Sequence, residues 1–388
     1  MKTARSASIE WVSPEQAEFF ESVHRFASSL SDDTVAADRS QTFSRENWDR
    51  CGQFGIQGLP APEAYGGGAA DVVTTMLALE GLGYGCADNG LVFSINAHMW
   101  TSVVPVWTFG SEDQKRRWLP GLCSGQLIGC HTITEPEAGS DAFGMRATGR
   151  KVEGGYVLNG RKTFITNAPV ADLVIAFVRT EPEGIGPYGI SAFLADAGAP
   201  GLVVEKASEK MGLRTSPMAD VVFEDCFVAD SAMLGRPGQG GEIFQSSMRW
   251  ERACIMASQV GAMRRTMEAC IAYARQRRQF GKPIAKYESV AEKLANMKIA
   301  VEASRALVLR VGWHMDQGHD TSMDAAIAKA FVSEASVRTH LDAVQVHGGY
   351  GYMTEFEVER ALRDAIGGTL YSGTSEIQRR IIARGLGL

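Results

Sequence analysis

The sequence predicts an α+β chain of several domains: an N-terminal helical domain, a middle antiparallel β domain and a C-terminal four-helix bundle. Three observations predict this organisation. The length of 388 residues exceeds that of a chain with one typical core. Apolar residues recur every three or four positions in both terminal parts, as in amphipathic helices. Between them, short β-type runs are separated by Gly, Pro, Asn and Asp. We place the domains at residues 1–125, 126–235 and 236–388.

The N-terminal part carries clear helix signals. Ser13 can cap a first helix, Pro14 suits its first turn and Gln16 completes a capping box. A second helix is expected to end at Gly55, because glycine tolerates the left-handed conformation of a C-cap. Further helices are predicted at 71–82, at 91–107, and from a capping box at residues 111–114 to a point near 120.

The middle part changes to a β pattern. Strand-like runs lie at 127–134, 147–152, 156–158, 162–166, 173–179, 190–196, 202–206 and 221–228. Short strands at this spacing are typical of an antiparallel sandwich or barrel. A glycine-rich segment at 235–241 ends the domain, and long helices are predicted after it at 242–278, at 286–317, and from a capping box at Thr321 and Asp324 towards Val346. Helices of this length favour a bundle.

The composition excludes several classes of protein. The net charge is −6 and no basic tract stands out, which argues against a nucleic-acid partner. The seven cysteines are scattered without a CxxC motif, which argues against a zinc site and a disulfide scaffold. No signal-peptide core and no run of about 18 apolar residues occurs, so we expect a cytoplasmic protein without a membrane span.

The segment 131–141, HTITEPEAGSD, is the first candidate for a binding site. A short strand through Ile133 and Thr134 stops at Pro136 and is followed by a turn containing Gly139 and Ser140. Such a loop presents backbone N–H groups and hydroxyls, which suit a flat heteroaromatic ring. An ordinary strand-to-loop turn explains these residues equally well when they are taken alone.

A second run, KTFITN at 162–167, decides between these interpretations. Together the two stretches resemble the flavin-binding middle domain of the acyl-CoA dehydrogenase family, in which a TEPxAGSD loop and a (W/F)IT run lie on opposite sides of the isoalloxazine. The resemblance covers nearly the whole chain and implies an FAD cofactor. The contacts that it implies in this domain are His131, Ile133, Thr134, Gly139, Ser140, Phe164, Ile165 and Thr166.

Two later motifs resemble the family's contacts to the adenosine-diphosphate part of FAD, which reach it from a neighbouring subunit. They are RRQFGK at 277–282 and QVHGGYGY at 345–352. Taken alone, the first could equally be a basic helix end, and a glycine cap would be the favoured explanation of the second. The implied contacts are Arg277, Gln279, Phe280, Gln345, Val346, Gly348 and Gly349, with Thr374 and Glu376 from a GTSEIQ motif. The resemblance therefore implies a homo-oligomer, at least a dimer and by expectation a tetramer.

The catalytic base departs from the commonest family pattern. Many members carry a glutamate directly before the Gly-Thr pair, where this chain has Ser372. A minority, including isovaleryl-type members, carries the glutamate in an E-R dipeptide after the β domain, and this chain has Glu251 and Arg252 there. We therefore expect Glu251 to be the base, although a helix glutamate is ordinarily a solvated surface residue. Glu376 lies four positions too late for this role.

The resemblance implies a mechanism. Glu251 removes the α-proton of an acyl thioester, and hydride passes from the β-carbon to flavin N5. The backbone N–H of Ser372 and a ribityl hydroxyl stabilise the enolate oxygen. Substrate binding should bury Glu251 and raise its pKa. Ser140, Arg252 and Tyr371 are the expected substrate contacts.

The substrate stays open at this point. The thioester is carried by coenzyme A or by an acyl or aminoacyl carrier protein, such as a prolyl carrier protein in secondary metabolism, and the electron acceptor is an electron-transfer flavoprotein or oxygen. Local pairs such as Arg264-Arg265 or Arg379-Arg380 are candidate docking patches. His98, Met99 and Trp100 lie in the region that lines the family's acyl cavity, but core packing is the favoured role for each. The alternatives are a flavin monooxygenase or oxidase on this fold, and a non-catalytic member.

Overall fold

A computed structural model describes residues 12–30, 33–181 and 186–388. Its N-terminal part is helical, as predicted. The helices are α1 (Pro14–Ser28), α2 (Thr34–Ser40), α3 (Arg45–Phe54), α4 (Val72–Gly85), α5 (Asn89–His98), α6 (Val104–Phe109) and α7 (Glu112–Cys123). Both capping boxes, at Ser13 and Ser111, are formed. Gly55 ends α3 in the left-handed conformation at φ 91°, which confirms that prediction.

Two details of these helices differ from the prediction. The helix predicted at 91–107 is interrupted by a π-helical turn, Met99–Val103, between α5 and α6. Pro105 lies two residues after this turn; it has no N–H to donate to the preceding turn, which favours such a widening. Helix α7 does not end near Pro120, as predicted, but continues to Cys123.

The middle part is one eight-stranded sheet in the order β6-β7-β3-β2-β4-β5-β8, with β1 paired to β4. The strands are β1 (Gly129–Thr132), β2 (Thr148–Val152), β3 (Gly155–Thr166), β4 (Leu173–Arg179), β5 (Ile190–Asp196), β6 (Leu202–Val204), β7 (Met218–Ala229) and β8 (Met233–Leu234). Every side chain of β4 except that of Arg179 is buried, because apolar cores cover both faces of this central strand.

The predicted antiparallel pairing holds for most of the sheet, but β1 and the single bridge from Thr148 of β2 to Arg179 are parallel to β4. Strand β1 runs parallel to β4, with Gly129 opposite Leu173 and Thr132 opposite Ala176. The chain between them contains the β2–β3 hairpin, which gives it enough length to cross over and re-enter in the same direction. The two runs predicted at 156–158 and 162–166 form one strand, β3, which is irregular between Lys162 and Ile165.

The C-terminal part is helical again, with α8 (Gly240–Gln276), α9 (Glu288–Asp316), α10 (Ser322–His347), α11 (Val358–Gly367) and α12 (Ser375–Gly385). A short hairpin, β9 (Arg278–Gln279) and β10 (Lys282–Pro283), joins α8 to α9. The capping box predicted at Thr321 is wrong, since its side chain makes no cap hydrogen bond. The Asp324 carboxylate instead binds Arg310 and His314 on α9.

Helices α4 and α8 join the two helical parts of the chain. A Cβ atom added at Gly83 would lie 2.0 Å from the carbonyl oxygen of Ser258, and one at Gly261 would lie 2.1 Å from that of Glu80. The two backbones are therefore in direct contact. Within the described ranges, no helix has the length and apolarity needed to cross a membrane.

Candidate active site

The centre of the site is a contact between α8 and the segment before α12. The hydroxyl of Ser372 donates a hydrogen bond of 2.6 Å to Oε1 of Glu251. Glu251 is only 7% exposed. Burial raises the pKa of this carboxyl, while the Ser372 hydrogen bond and the charges of Arg252 and Lys329 oppose the increase. A buried carboxyl with a raised pKa is suited to proton transfer.

The backbone turn at Ser372 and Gly373 is fixed by three side chains. Both residues have positive φ, 56° and 86°. The carbonyl oxygen of Ser372 accepts from Arg252 Nε at 3.2 Å and from Gln378 Nε2 at 3.1 Å. That of Gly373 accepts from Lys329 Nζ at 2.7 Å and from Gln378 Nε2 at 2.8 Å. No acceptor among the described residues takes the backbone N–H of Ser372, which is therefore available to a ligand.

Lys329 is a site residue that the sequence analysis missed. It lies on α10, is fully buried, and burial lowers the pKa of its ammonium group to about 8, while Glu251 opposes that decrease. The signal was present in the sequence: a single lysine stands among small apolar residues in AAIAKAF at 325–331. A charge in such a surrounding is rarely buried without a specific partner.

Tyr371 begins a polar network beside this turn. Its hydroxyl accepts from Gln259 Nε2 at 2.9 Å, and the side-chain amide oxygen of Gln259 accepts from the Ser336 hydroxyl at 2.7 Å. The Phe93 ring packs on that of Tyr371 with 4.6 Å between centroids. Burial raises the pKa of the Tyr371 phenol, which keeps it neutral.

A small cavity adjoins this network. Its lining comes from α5, α8, α10, α11 and two loops. It mixes apolar with polar side chains: Asn89, Val92, Phe93, Leu213, Ser258, Gln259, Ala262, His340, Ala361, Asp364, Ala365 and Tyr371. His340 is 2% exposed, and its Nε2 has no hydrogen-bond partner among the described residues. Ser258 and Gln259 lie about two helical turns after Glu251 on α8.

The loop between β1 and β2 has its own buried anchor. Lys162 on β3 is fully buried and its Nζ lies 2.8 Å from Oε1 of Glu135. The Glu135 carboxylate also accepts from the backbone N–H groups of Arg146 and Ala147, at 2.6 and 2.9 Å. Burial alone would raise the pKa of Glu135, but these donors hold it below its usual value. Burial lowers the pKa of Lys162 to about 8.

The predicted flavin contacts of the β domain are of two kinds. The side chains of Ile133 and Ile165 lie in apolar cores, so only their backbones are available to a ligand. In contrast, Phe164 is 65% exposed and has φ 59°. His131 lies against Phe177 and Phe244, and its buried Nδ1 has no partner among the described residues. Burial lowers the pKa of His131 to about 4, so the ring is neutral near pH 7.

The rest of that predicted set surrounds these residues. Gly139 and Ser140 are exposed, Thr134 and Thr166 are half-buried, and Thr163 N–H donates to the carbonyl of Thr134 at 2.9 Å. The loop and the end of β3 are thus held next to each other. These features fit a flat, polar-edged ring system such as a flavin: an exposed aromatic ring, exposed hydroxyl and glycine residues, and an unpartnered imidazole nitrogen.

The two later motifs meet at the far end of α8. The guanidinium carbon of Arg277 lies 5.6 Å from the centroid of the Tyr350 ring, and the Tyr273 and His347 rings stack at 4.2 Å. Phe280 is 95% exposed. The remaining predicted contacts of this region divide by exposure: Gln279, Gln345, Gly348 and Gly349 are exposed, and Val346 is buried. In GTSEIQ, the Thr374 side chain caps α12 and Glu376 is exposed in its first turn.

Three family models match successive parts of the chain: the acyl-CoA dehydrogenase N-terminal domain at residues 13–126, the middle domain at 130–226 and the C-terminal domain at 238–387. An L-prolyl-[peptidyl-carrier protein] dehydrogenase from Pseudomonas fluorescens is 42% identical over 352 residues, 90% of this chain and 92% of the relative. The chain belongs to the acyl-CoA dehydrogenase family. It is accordingly an FAD-dependent oxidoreductase that acts on CH–CH bonds.

Solved structures of the family have the same fold. The structure described as PigA with FAD and proline has a TM-score of 0.95 and 39% identity, and the match covers 99% of each chain. Butyryl-CoA dehydrogenase from Megasphaera elsdenii has a TM-score of 0.93 and 35% identity, with 97% of this chain and 99% of that chain covered. The predicted order of helical, β and helical parts is therefore confirmed as that of the acyl-CoA dehydrogenases.

Other residues of this family member bear on the docking and acyl-cavity interpretations. His98, Met99 and Trp100 are fully or almost fully buried, in agreement with core packing. The guanidinium of Arg265 donates to the backbone carbonyls of Gly83 and Cys86, so it does not form a surface patch with Arg264. Arg379 pairs with Glu334 at 2.7 Å, which leaves a weaker local charge than the sequence suggests.

Proposed function

We propose that this acyl-CoA dehydrogenase oxidises the Cα–Cβ bond of an acyl thioester and that Glu251 is the base that removes the α-proton. The observation that supports this role most directly is the 2.6 Å contact between Glu251 and Ser372, the position where many members carry the base. The carboxylate of Glu251 thus reaches the same point from α8. Its burial, with a raised pKa, makes it a stronger base than an exposed glutamate.

The turn at Ser372 is the proposed oxyanion site. Its free N–H can donate to the thioester oxygen as enolate charge develops, and Arg252, Lys329 and Gln378 fix the neighbouring carbonyls in advance. Donors that are already oriented need no reorganisation during the reaction, which is the largest advantage of such sites. In this proposal Ser140, Arg252 and Tyr371 contact the substrate, and Nε of Arg252 also fixes the turn.

The proposed flavin contacts are the β1–β2 loop on one side and the end of β3 on the other. FAD, when bound, supplies the hydride acceptor for the β-carbon. The loop offers the Ser140 hydroxyl and the backbone at Ile133, Thr134 and Gly139. The end of β3 offers the Phe164 ring, the Ile165 backbone and the Thr166 hydroxyl. The unpartnered Nδ1 of His131 supports a polar contact there.

The proposed assembly is a homo-oligomer, a tetramer by the family's pattern, in which each FAD site uses two subunits. Helix α8 separates the two groups of candidate contacts: from Glu251 to Gln276 it spans roughly 38 Å at 1.5 Å per residue. That distance exceeds the reach of one FAD bound beside Glu251. The residues proposed to contact the cofactor of a neighbouring subunit are therefore Arg277, Gln279, Phe280 and the 345–349 segment. Thr374 and Glu376 begin α12 directly after Ser372, beside Glu251, so the distance argument does not apply to these two proposed FAD contacts.

The acyl carrier is coenzyme A or a carrier protein, and one observation favours a small polar acyl group, such as the prolyl group of a carrier-protein thioester. The cavity beside Tyr371 is lined partly by Asn89, Gln259, His340 and Asp364. The first, second and last of these already pair with protein groups, but the buried Nε2 of His340 has no partner among the described residues. A saturated alkyl chain would leave this nitrogen unpaired, which is unfavourable. A cyclic amino-acid side chain is short and carries a nitrogen that can pair with such groups.

The test is anaerobic mixing of the FAD-loaded protein with a panel of acyl-CoA, acyl-carrier and prolyl-carrier thioesters, followed by flavin absorbance. Wild type should be bleached, and Glu251→Gln should not. Glu268→Gln is the matched control, because Glu268 lies on the same helix but is exposed and pairs with Arg264. Flavin bleaching in Glu251→Gln at the wild-type rate would refute the proposal that Glu251 is the base. The thioester that bleaches fastest identifies the carrier, and reoxidation by air or by electron-transfer flavoprotein identifies the acceptor.

A further inference from the structure

We infer that the side chain of Ser372 is a positioning residue for the base: its hydroxyl fixes one oxygen of the Glu251 carboxylate, so that the other oxygen faces the acyl α-carbon. The inference rests on the proposed role of Glu251 and adds to it. The backbone N–H of Ser372 and its hydroxyl then have separate tasks. The first stabilises the thioester oxygen, and the second orients the group that removes the proton.

The two carboxylate oxygens of Glu251 have different surroundings. Oε1 accepts from the Ser372 hydroxyl, whereas Oε2 is buried and has no hydrogen-bond partner among the described residues. An ionised carboxylate accepts several hydrogen bonds, and a buried oxygen without a partner costs free energy. Such an oxygen is suited to receive a proton from a substrate that fills the space beside it.

The neighbouring donors are directed to other acceptors. Arg252 Nε binds the carbonyl of Ser372, and Lys329 Nζ binds that of Gly373. The hydroxyl of Tyr371 is paired with Gln259. These groups act on Glu251 through their charge or by packing, and in the described part of the chain the Ser372 hydroxyl is the donor that contacts the carboxylate directly.

The backbone conformation gives an independent reason to assign a task to this side chain. Ser372 has φ 56°, a conformation that glycine adopts easily and that other residues adopt at a cost. Because Gly373 also has positive φ, a second glycine would form this turn with less strain. A side chain is nevertheless present at 372, and its oxygen is in contact with the proposed base.

The hydroxyl also acts on the protonation of Glu251. Burial favours the neutral carboxyl, and a hydrogen bond donated to the ionised form opposes this, as do the positive charges of Arg252 and Lys329. The ionised phenol of Tyr371 would act in the opposite direction, but burial keeps it neutral. Removal of the hydroxyl should therefore leave a carboxylate that is less well oriented and that becomes protonated at higher pH.

The experiment compares Ser372→Gly and Ser372→Cys with wild type in stopped-flow flavin reduction, per bound FAD, across the pH range. Glycine keeps the backbone conformation and removes the hydroxyl. Cysteine keeps a side chain of similar shape but is a weak donor. Reduction by Ser372→Gly should be about 10-fold to 100-fold slower, the effect of one hydrogen bond to a charged group. The acidic limb of its profile of reduction rate against pH should move to higher pH. The Kd for the thioester should change less than the reduction rate.

Ser333→Ala is the control, because Ser333 is a buried serine on α10 whose hydroxyl donates to the carbonyl of Ala330 and not to Glu251. A wild-type rate and pH profile in Ser372→Gly would overturn the inference about Ser372. If Glu251→Gln is inactive in the same assay, the proposal that Glu251 is the base still holds. A wild-type profile in Ser372→Cys alone would show that only the shape of the side chain matters. Flavin reduction by Glu251→Gln at the wild-type rate would overturn both proposals. Should Ser372→Gly fail to fold, Ser372→Cys carries the test.

Discussion

Lys162 and Glu135 form a buried ion pair, with 2.8 Å between Nζ and Oε1, beneath the loop that connects β1 to β2. Glu135 stands near the start of this loop and accepts two backbone N–H groups, those of Arg146 and Ala147, at its end. One carboxylate therefore closes the base of the loop, and Lys162 attaches it to β3. The pair joins the two segments that are proposed to contact opposite sides of the flavin.

We predict that Lys162→Met purifies with much less FAD than wild type. The substitution leaves Glu135 buried without its partner, which costs about 3–5 kcal/mol, and it releases the loop from β3. FAD content per polypeptide and the thermal unfolding midpoint measure the two effects. Arg161→Met is the matched control, since Arg161 is the preceding residue and forms an exposed pair with Asp220, worth about 0–1 kcal/mol. Equal FAD content in both variants would contradict this account.

Lys329→Met should retain FAD but lose flavin reduction. The ammonium group binds the carbonyl of Gly373 at 2.7 Å and lowers the pKa of Glu251 through its charge. Its loss should displace the proposed oxyanion donor and shift the acid limb of the reduction rate to higher pH. Stopped-flow rates over pH test both effects. Lys293→Met, which removes a less buried cation paired with Asp342, should leave the profile unchanged.

The subunit arrangement predicts complementation between two inactive variants. In a mixed oligomer of Glu251→Gln and Arg277→Ala, one site combines an intact Glu251 with an intact Arg277 from the neighbouring subunit, so activity should return to a fraction of wild type after co-expression. A mixture of Glu251→Gln and Ser372→Gly should gain nothing, because both residues belong to the same site. Complementation by the second pair, or none by the first, would contradict the proposed assembly.

Three histidines with lowered pKa values predict loss of stability in acid. Burial lowers the pKa of His98, His131 and His340 to about 4 in each case. The unfolded chain, with pKa values near 6.5, binds protons that the folded chain does not, so stability falls as pH decreases from about 6.5 to 4. The slope is on the order of 1 kcal/mol per pH unit for each histidine. Unfolding midpoints over this range test it. His340→Gln should reduce the slope.

The cavity beside Tyr371 predicts a change of substrate preference. In Gln259→Leu the amide that pairs with the Tyr371 and Ser336 hydroxyls is replaced by an apolar side chain. Reduction by a short alkyl thioester should improve relative to a prolyl thioester, by about 10-fold if one hydrogen bond to the bound group is lost. The ratio of kcat/KM values for the two thioesters is the measurement. An unchanged ratio would show that the cavity does not contact the acyl group.

The sequence predicted those features that depend on neighbours in the chain. The capping boxes at Ser13 and Ser111 and the glycine end of α3 are local, and all three are formed. The parallel position of β1 was not predictable, because β-type residues indicate a strand but not its partner. At Thr321 the local signal was misleading, since Asp324 found partners on another helix.

The candidate site shows the same limit. Glu251 and Ser372 were predicted to lie together through the resemblance to isovaleryl-type members, although about 120 residues separate them. The contributions of Lys329 and Gln378 were missed. The apolar surroundings of Lys329 in the sequence indicate that it is buried, but they do not identify its acceptor, and nothing local indicates that Gln378 binds the carbonyls at 372 and 373. Contacts between distant segments depend on tertiary packing, which no local pattern records.

The glycine contact between α4 and α8 has a consequence for how the protein is made. Helix α4 is synthesised early, but Gly83 has its partner backbone only when Gly261 has left the ribosome, after the whole β domain. The apolar surface of the N-terminal helices that packs on α8 therefore remains exposed to solvent until α8 is synthesised. These helices can complete their packing only late in translation. Truncated chains that end before α8 should accordingly bind chaperones or aggregate, even though the β domain between the two helices is already present.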